Sequence, residues 1–233
     1  MARLGADVGD AEYVAALRWA AHPGCERVVI DLSSGSGSPA GSVGDATVTV
    51  LDASGVVRVN LPQAVTRTGI IDTLFDGDLA RGAYVVRRAD GSLAVDIHIG
   101  SSAPAQIRAF AVDSPARIVV DLSPAPAGGT PVAARPTTAG NVVVLSPAPG
   151  EATFPLAITG YARTFEASVV ARLSVDGSVV AETFTTATDW IDAWGTFTLT
   201  FESGPSGEVI LFVGEDSARD GTPLGVTFPI DVP

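Results

Sequence analysis

The chain has 233 residues, with 26 acidic and 14 basic side chains and a net charge of -12; every basic residue is an arginine. That balance repels phosphate backbones and sets nucleic acid aside as a partner. The lone cysteine, Cys25, excludes an internal disulfide and a cysteine-built zinc site, and no apolar run reaches the roughly 20 residues that span a bilayer.

The length suits two domains of about 100 residues. Residues 123–138 (SPAPAGGTPVAARPTT) hold four prolines and two adjacent glycines. Proline removes backbone donors and glycine raises the entropy lost on ordering, so this stretch reads as an extended connector. It divides the chain into a first β domain over 10–123, a linker over 124–140 and a second β domain over 141–233.

In chain order, residues 2–9 show no periodicity and are expected to fray. Residues 12–21 (EYVAALRWAA) have helix-favouring composition, but Tyr13, Ala15, Leu17 and Trp19 alternate as one sheet face. Strand is the preferred reading, because His22-Pro23-Gly24 supplies a turn into RVVIDL at 27–32. A Gly/Ser loop fills 33–44, and strands at 46–51 and 56–61 flank a DASG turn. Residues 62–81 read as a long loop with a short helical turn. Strands at 83–88, 93–99 and 106–111 follow, and RIVVDL at 117–122 closes the domain. RVVIDL and RIVVDL are near copies, with Asp31 and Asp121 expected close to a sheet edge.

The second domain shows seven short strands, at 141–145, 154–162, 167–175, 179–185, 195–201, 208–213 and 225–232. Turns separate them every 8 to 12 residues, about the spacing of an immunoglobulin-like sandwich. The expected fold is therefore all-β, two domains, the second an immunoglobulin-like sandwich without a disulfide.

Neither an HExxH pair, a phosphate-binding glycine loop nor a serine elbow is present, so no enzyme is expected. His98 and Asp96 share a strand face at i and i+2; a solvated face is preferred over an acid–base pair. Cys25 sits two residues from Arg27, too little to activate a thiol. Asp72, Asp76 and Asp78 crowd DTLFDGD without the spacing of a calcium loop. Asp189, Asp192, Glu215, Asp216 and Asp220 lie in two loops of the second domain. If those loops converge, the carboxylates need a cation, Arg163, Arg219 or water; solvated loops are preferred, with calcium as the alternative and no other cofactor expected. Trp190 and Trp194 are read first as core residues and second as an exposed platform for a ligand.

A family pattern appears in the second half. Residues 144–150 (VLSPAPG), 155–167 (PLAITGYARTFEA) and 215–223 (EDSARDGTP) resemble, in order, three blocks of the Gmad2 immunoglobulin-like domain, associated with bacterial sporulation and germination proteins. In the first half, 26–32 (ERVVIDL), 75–77 (FDG) and 117–122 (RIVVDL) resemble blocks of the AMIN-like domain, although the loop at 33–41 lacks the aromatic common in that family. The pairing implies an exported, envelope-facing, non-catalytic module whose export segment has been removed. It would bind cell-wall polymer, such as peptidoglycan, or an envelope protein. The alternatives are an accessory unit that positions a separate cell-wall hydrolase, or a structural protein of sporulation and germination. The resemblance also implies that Phe75 fills the core and that Gly77 permits a turn.

Overall fold

The structure, a computed structural model, describes residues 2–100, 105–124 and 136–233. It divides into two compact units, Met1–Arg135 and Pro136–Pro233. Both are built of strands, with two short 3-10 turns and no α-helix among the described residues. Among the described residues, no helix is long and apolar enough to cross a membrane. Residues 125–135 of the expected linker lie outside the described residues.

The first unit contains β1 (Ala2–Leu4), β2 (Tyr13–His22), β3 (Cys25–Ser33), β4 (Ala46–Leu51), β5 (Val56–Asn60), β6 (Arg67–Thr68), β7 (Asp72–Leu74), β8 (Ala80–Arg87), β9 (Leu93–Ile99), β10 (Ala105–Val112) and β11 (Arg117–Pro124). One sheet runs β1-β4-β5-β9-β8, with β7 paired to β8; the other runs β10-β11-β3-β2-β6. In each sheet the β-branched positions of one face form the core, and in the first sheet β9 is buried on its other face as well. Val57, Val59, Val85, Val95 and Ile97 are fully buried in the first; Val28, Ile30, Ile118 and Val120 are fully buried in the second. Each such side chain contributes roughly 1.5–3 kcal/mol on removal from water, enough in sum to form a core without a disulfide.

RVVIDL and RIVVDL lie side by side and antiparallel on β3 and β11, in register Arg117↔Asp31 and Asp121↔Arg27. Running the two near-copies in opposite directions sets each arginine opposite an aspartate. Asp31 and Asp121 are therefore on inner strands, not close to a sheet edge as expected. Three further expectations change. Residues 2–4 form β1 on β4, held at its flank by Arg3 Nε donating to Asp45 at 2.7 Å. A bulge in β2 at Ala15 slips the register, so Val14 and Leu17 point inward and the period-two face drawn from Tyr13 is broken. Residues 62–81 hold two short strands, β6 and β7, and no helical turn.

The second unit contains β12 (Thr137–Ala139), β13 (Val142–Ser146), β14 (Gly150–Glu151), β15 (Leu156–Ala162), β16 (Ser168–Val175), β17 (Ser178–Thr186), β18 (Trp194–Phe201), β19 (Gly207–Asp216) and β20 (Pro223–Val232). Strands β18-β15-β13-β12 form one sheet and β14-β20-β19-β16-β17 the other, the β14–β20 pair being parallel. Between β13 and β14 the chain passes from one sheet to the other. Both sheets feed a single core, with Val144, Ile158, Phe197 and Leu199 from one and Val169, Leu173, Leu211 and Phe228 from the other. The chain is thus predominantly β, in several sheets, with one unpaired cysteine.

Candidate functional site

At the β15–β16 connection the chain runs Arg163-Thr164-Phe165-Glu166-Ala167 through a 3-10 turn, with Glu166 in the left-handed region at φ 54°. The turn is tied to β19, where the Phe165 N–H donates to Glu215 Oε2 at 2.7 Å. It is tied to the β17–β18 loop by Arg163 Nη2, which donates to the Ile191 carbonyl at 3.1 Å. That loop is stiffened from within, because Asp189 Oδ1 accepts the backbone N–H groups of Trp190, Ile191 and Asp192 at 2.7, 2.9 and 3.1 Å. Gly195 lets β18 start close beneath it. A Cβ there would lie 2.2 Å from both the nitrogen and the carbonyl oxygen of Asp189.

Three separated segments thereby place two aromatic rings together. The Phe165 and Trp190 rings meet edge to face at a centroid distance of 5.6 Å, and Phe165 is 58% exposed. Ile191 beside them is 63% exposed, whereas Trp190 is half-buried with one side against the core. Arg163 Nε and Thr164 Oγ1 are buried, without a hydrogen-bond partner among the described residues. The arrangement is a small apolar, aromatic surface with an acidic neighbour, Glu215. It can stack on a ring or fill a side-chain pocket of a partner.

The two tryptophans part company here. Trp194 opens β18, is 5% exposed, and meets Tyr161 edge to face at 5.9 Å. Trp190 stays at the surface beside Phe165, an exposed ring not singled out from the sequence. The signal for it lay in the Thr164-Phe165-Glu166 run, a lone aromatic between polar residues at a strand connection.

The five carboxylates weighed for calcium occupy separate positions. Asp189 caps its own loop, with Asp192 exposed at the end of that cap, and Glu215 holds Phe165. Asp216 forks onto Arg172, with Nη1 to Oδ1 at 2.8 Å, while Arg172 Nε also donates to Glu182 at 2.5 Å. Those hydrogen bonds, Asp216 first and Glu182 second, push the guanidinium pKa upward and hold the Asp216 carboxyl below its usual range. Asp220 accepts the Thr222 N–H at 3.1 Å, which lowers its pKa. No group of three or more His, Cys, Asp or Glu side chains able to hold a metal is found among the described residues.

In the first unit, Asp96 and His98 are 0% and 7% exposed, against the expected solvated face. Strand β9 is buried on both sides, so its alternation no longer separates water from core. Asp96 takes a two-pronged donation from Arg58, at 2.7 Å from Nε and 2.6 Å from Nη2. Burial pushes its carboxyl upward and the Arg58 fork pulls against that. His98 stacks on Tyr84 at 4.4 Å, and burial pushes its pKa down to about 3. A group so weakly basic makes a poor proton acceptor at neutral pH.

Glu26, quoted in a motif but given no role from sequence, is 9% exposed and anchors the 75–80 segment. Its Oε1 accepts the N–H groups of Asp78 and Leu79 at 2.7 and 2.9 Å; Oε2 accepts those of Ala80 at 2.9 Å and the Trp19 indole at 3.1 Å. Phe75 is buried and stacks on Trp19 at 6.2 Å, as the resemblance implied. Gly77 serves closeness more than turning, since a Cβ would fall 2.2 Å from Glu26 Oε2 and 2.5 Å from the Ala80 carbonyl.

No curated protein and no solved structure matches the chain. A family model does match within the second unit, and it spans the Phe165 turn, the Trp190 loop and the Glu215 strand. Residues 141–222 match the Gmad2 family model, described as an immunoglobulin-like domain of bacterial spore germination.

Proposed function

We propose that this chain is a non-catalytic structural protein of sporulation or germination, acting in the cell envelope through its second domain. In this reading the two sheets of residues 141–233 form an immunoglobulin-like sandwich. Phe165, Trp190 and Ile191 dock on a cell-wall polymer or an envelope protein, and the first domain, residues 10–123, is AMIN-like. One observation carries it: the family-matched segment brings two loops and the end of β19 together around an aromatic pair in which Phe165 is exposed and Trp190 half-buried. Exposed aromatics held on a rigid frame are typical of binding hot spots.

Purified protein mixed with spore cortex or vegetative peptidoglycan should sediment with it, and salt should weaken this little, because stacking is not charge-driven. Trp190→Ala and Phe165→Ala should each lose about 1–3 kcal/mol of binding, the range for truncating an aromatic hot spot. Protein that stays in the supernatant at every salt concentration overturns the polymer as ligand, and capture by an envelope protein then becomes the reading to test. The two domains should also separate. Limited proteolysis is expected to cut within 124–140 and release two folded pieces; joint protection and a single melting transition would contradict independent domains.

A further inference from the structure

The outward face of the β10-β11-β3-β2 sheet differs from the rest of this acidic chain. Inward positions are apolar, so the register sets Arg108, Phe110 and Val112 of β10 on the outer face, beside Asp121, Val119 and Arg117 of β11. Arg27, Val29 and Asp31 of β3 continue the rows, and Arg18 of β2 completes them. Four arginines against two aspartates leave this face two positive charges in a protein of net charge -12.

The two aspartates are already taken. Asp121 receives Arg27 in a fork at 2.6 and 2.8 Å, and Asp31 receives Arg18 Nη2 at 2.7 Å. Arg108 and Arg117 make no ion pair among the described residues. Arg108 is exposed and lies over the Phe110 ring at 5.3 Å, with Arg27 over the same ring at 5.9 Å. Arg117 Nε is buried with no hydrogen-bond partner among the described residues. A recess of about 510 Å³, lined by Gly24, Cys25, Gln106, Arg108 and Asp121, opens beside Arg108. Among the described residues, β10 is the outermost strand of its sheet, leaving one row of backbone donors and acceptors for an added strand.

We propose that this face docks an acidic, extended segment of a partner protein, which runs along β10 and sets carboxylates on Arg108 and Arg117. The charge of the face selects an anion, and the Arg27–Asp121 and Arg18–Asp31 forks show how carboxylates seat on it. The open edge of β10 selects a peptide over a phosphate polymer, because only a peptide backbone completes the strand ladder. Arg117 lies level with Val112, four residues along β10 from Arg108. That offset is about 13 Å of extended chain, so carboxylates at i and i+4 of the ligand reach both arginines.

The test uses the full chain and a fluorescein-labelled peptide of alternating glutamate and threonine, read by fluorescence anisotropy. Saturable binding at about 50 mM salt is expected, weakened about tenfold or more at about 300 mM. Arg108→Gln combined with Arg117→Gln should weaken it about tenfold or more, and Arg108→Gln alone, at an exposed site, about threefold or more. The matching peptide of alternating glutamine and threonine should not bind. Absence of binding at low salt overturns the proposal, as does binding that the single and double variants leave unchanged. Arginine-dependent binding of inorganic polyphosphate with no binding of the glutamate peptide would overturn the peptide ligand in favour of a phosphate polymer.

Discussion

Replacing Glu26 with alanine should destabilise the first unit by roughly 4–6 kcal/mol, read as a fall in the urea midpoint of its unfolding transition. The side chain joins two parts of the chain about fifty residues apart, accepting three backbone N–H groups and an indole N–H. Removing it strands those donors, two of them in hydrogen bonds that are buried. Each unmet buried donor costs about 1–3 kcal/mol, and the loss of a charged acceptor sits at the upper end. The 75–80 segment would then keep only backbone bonds such as Phe75 N–H to the Arg81 carbonyl to hold Phe75 against Trp19. Glu26→Gln keeps one acceptor oxygen and should recover roughly half of the loss. If Glu26→Ala unfolds at the wild-type midpoint, the carboxylate is an ornament of a segment held by Phe75 and its backbone bonds.

This anchor marks where sequence reasoning stops. Strands with β-branched cores, such as RVVIDL and RIVVDL, are legible because every second residue must be apolar to bury one face. Their mutual register follows from charge, since only the antiparallel arrangement puts Arg27 against Asp121. Glu26 sits in the same block, yet nothing local says that its partners are the N–H groups of residues 78–80. Those donors are anonymous in sequence; only the fold brings them within 3 Å. Short strands such as β1, β6, β12 and β14 are illegible for a related reason, being two or three residues long and existing through a neighbour's hydrogen bonds.

The candidate site is legible in composition and illegible in geometry. Trp190 and Trp194 are four residues apart with similar neighbours, and no periodicity tells a loop residue from the first residue of a strand. The acidic residues looked like one cluster because their loops are rich in carboxylates. In the structure each is consumed locally, by backbone N–H groups or by Arg172, as short acidic side chains in turns commonly are. Strand β9 misleads in the opposite direction. Its polar residues, Asp96 and His98, suggest a wet face, and burial on both sides places them in the interior instead.

That burial makes the first unit acid-sensitive through His98. In the unfolded chain the imidazole takes up a proton near pH 6.5; in the folded protein burial delays this to about 3. Between those values the unfolded state binds more protons, so stability falls as pH falls, by about 1.4 kcal/mol per pH unit. The cumulative loss is about 3 kcal/mol at pH 4 and on the order of 5 kcal/mol at pH 3. Other groups of the first unit act on the same slope in both directions. Glu26 adds to the loss: burial raises its pKa, but the hydrogen bonds from Leu79, Ala80, Trp19 and Asp78 outweigh that and leave it lowered, so protonation in acid costs the fold. Asp96, pushed upward by burial, works in the opposite sense and offsets part of the fall. Tyr84 stacks on the imidazole and stays neutral throughout, since burial and then Asp72 raise its pKa. Urea unfolding of wild type and His98→Phe across pH 7 to 4 separates these contributions, read in the transition that Glu26→Ala shifts. Phenylalanine keeps a ring against Tyr84 and has no proton to gain, so its curve should flatten by about 3 kcal/mol relative to wild type at pH 4. Two curves that run parallel over that range would mean that His98 protonates as readily in the folded protein as in the unfolded chain.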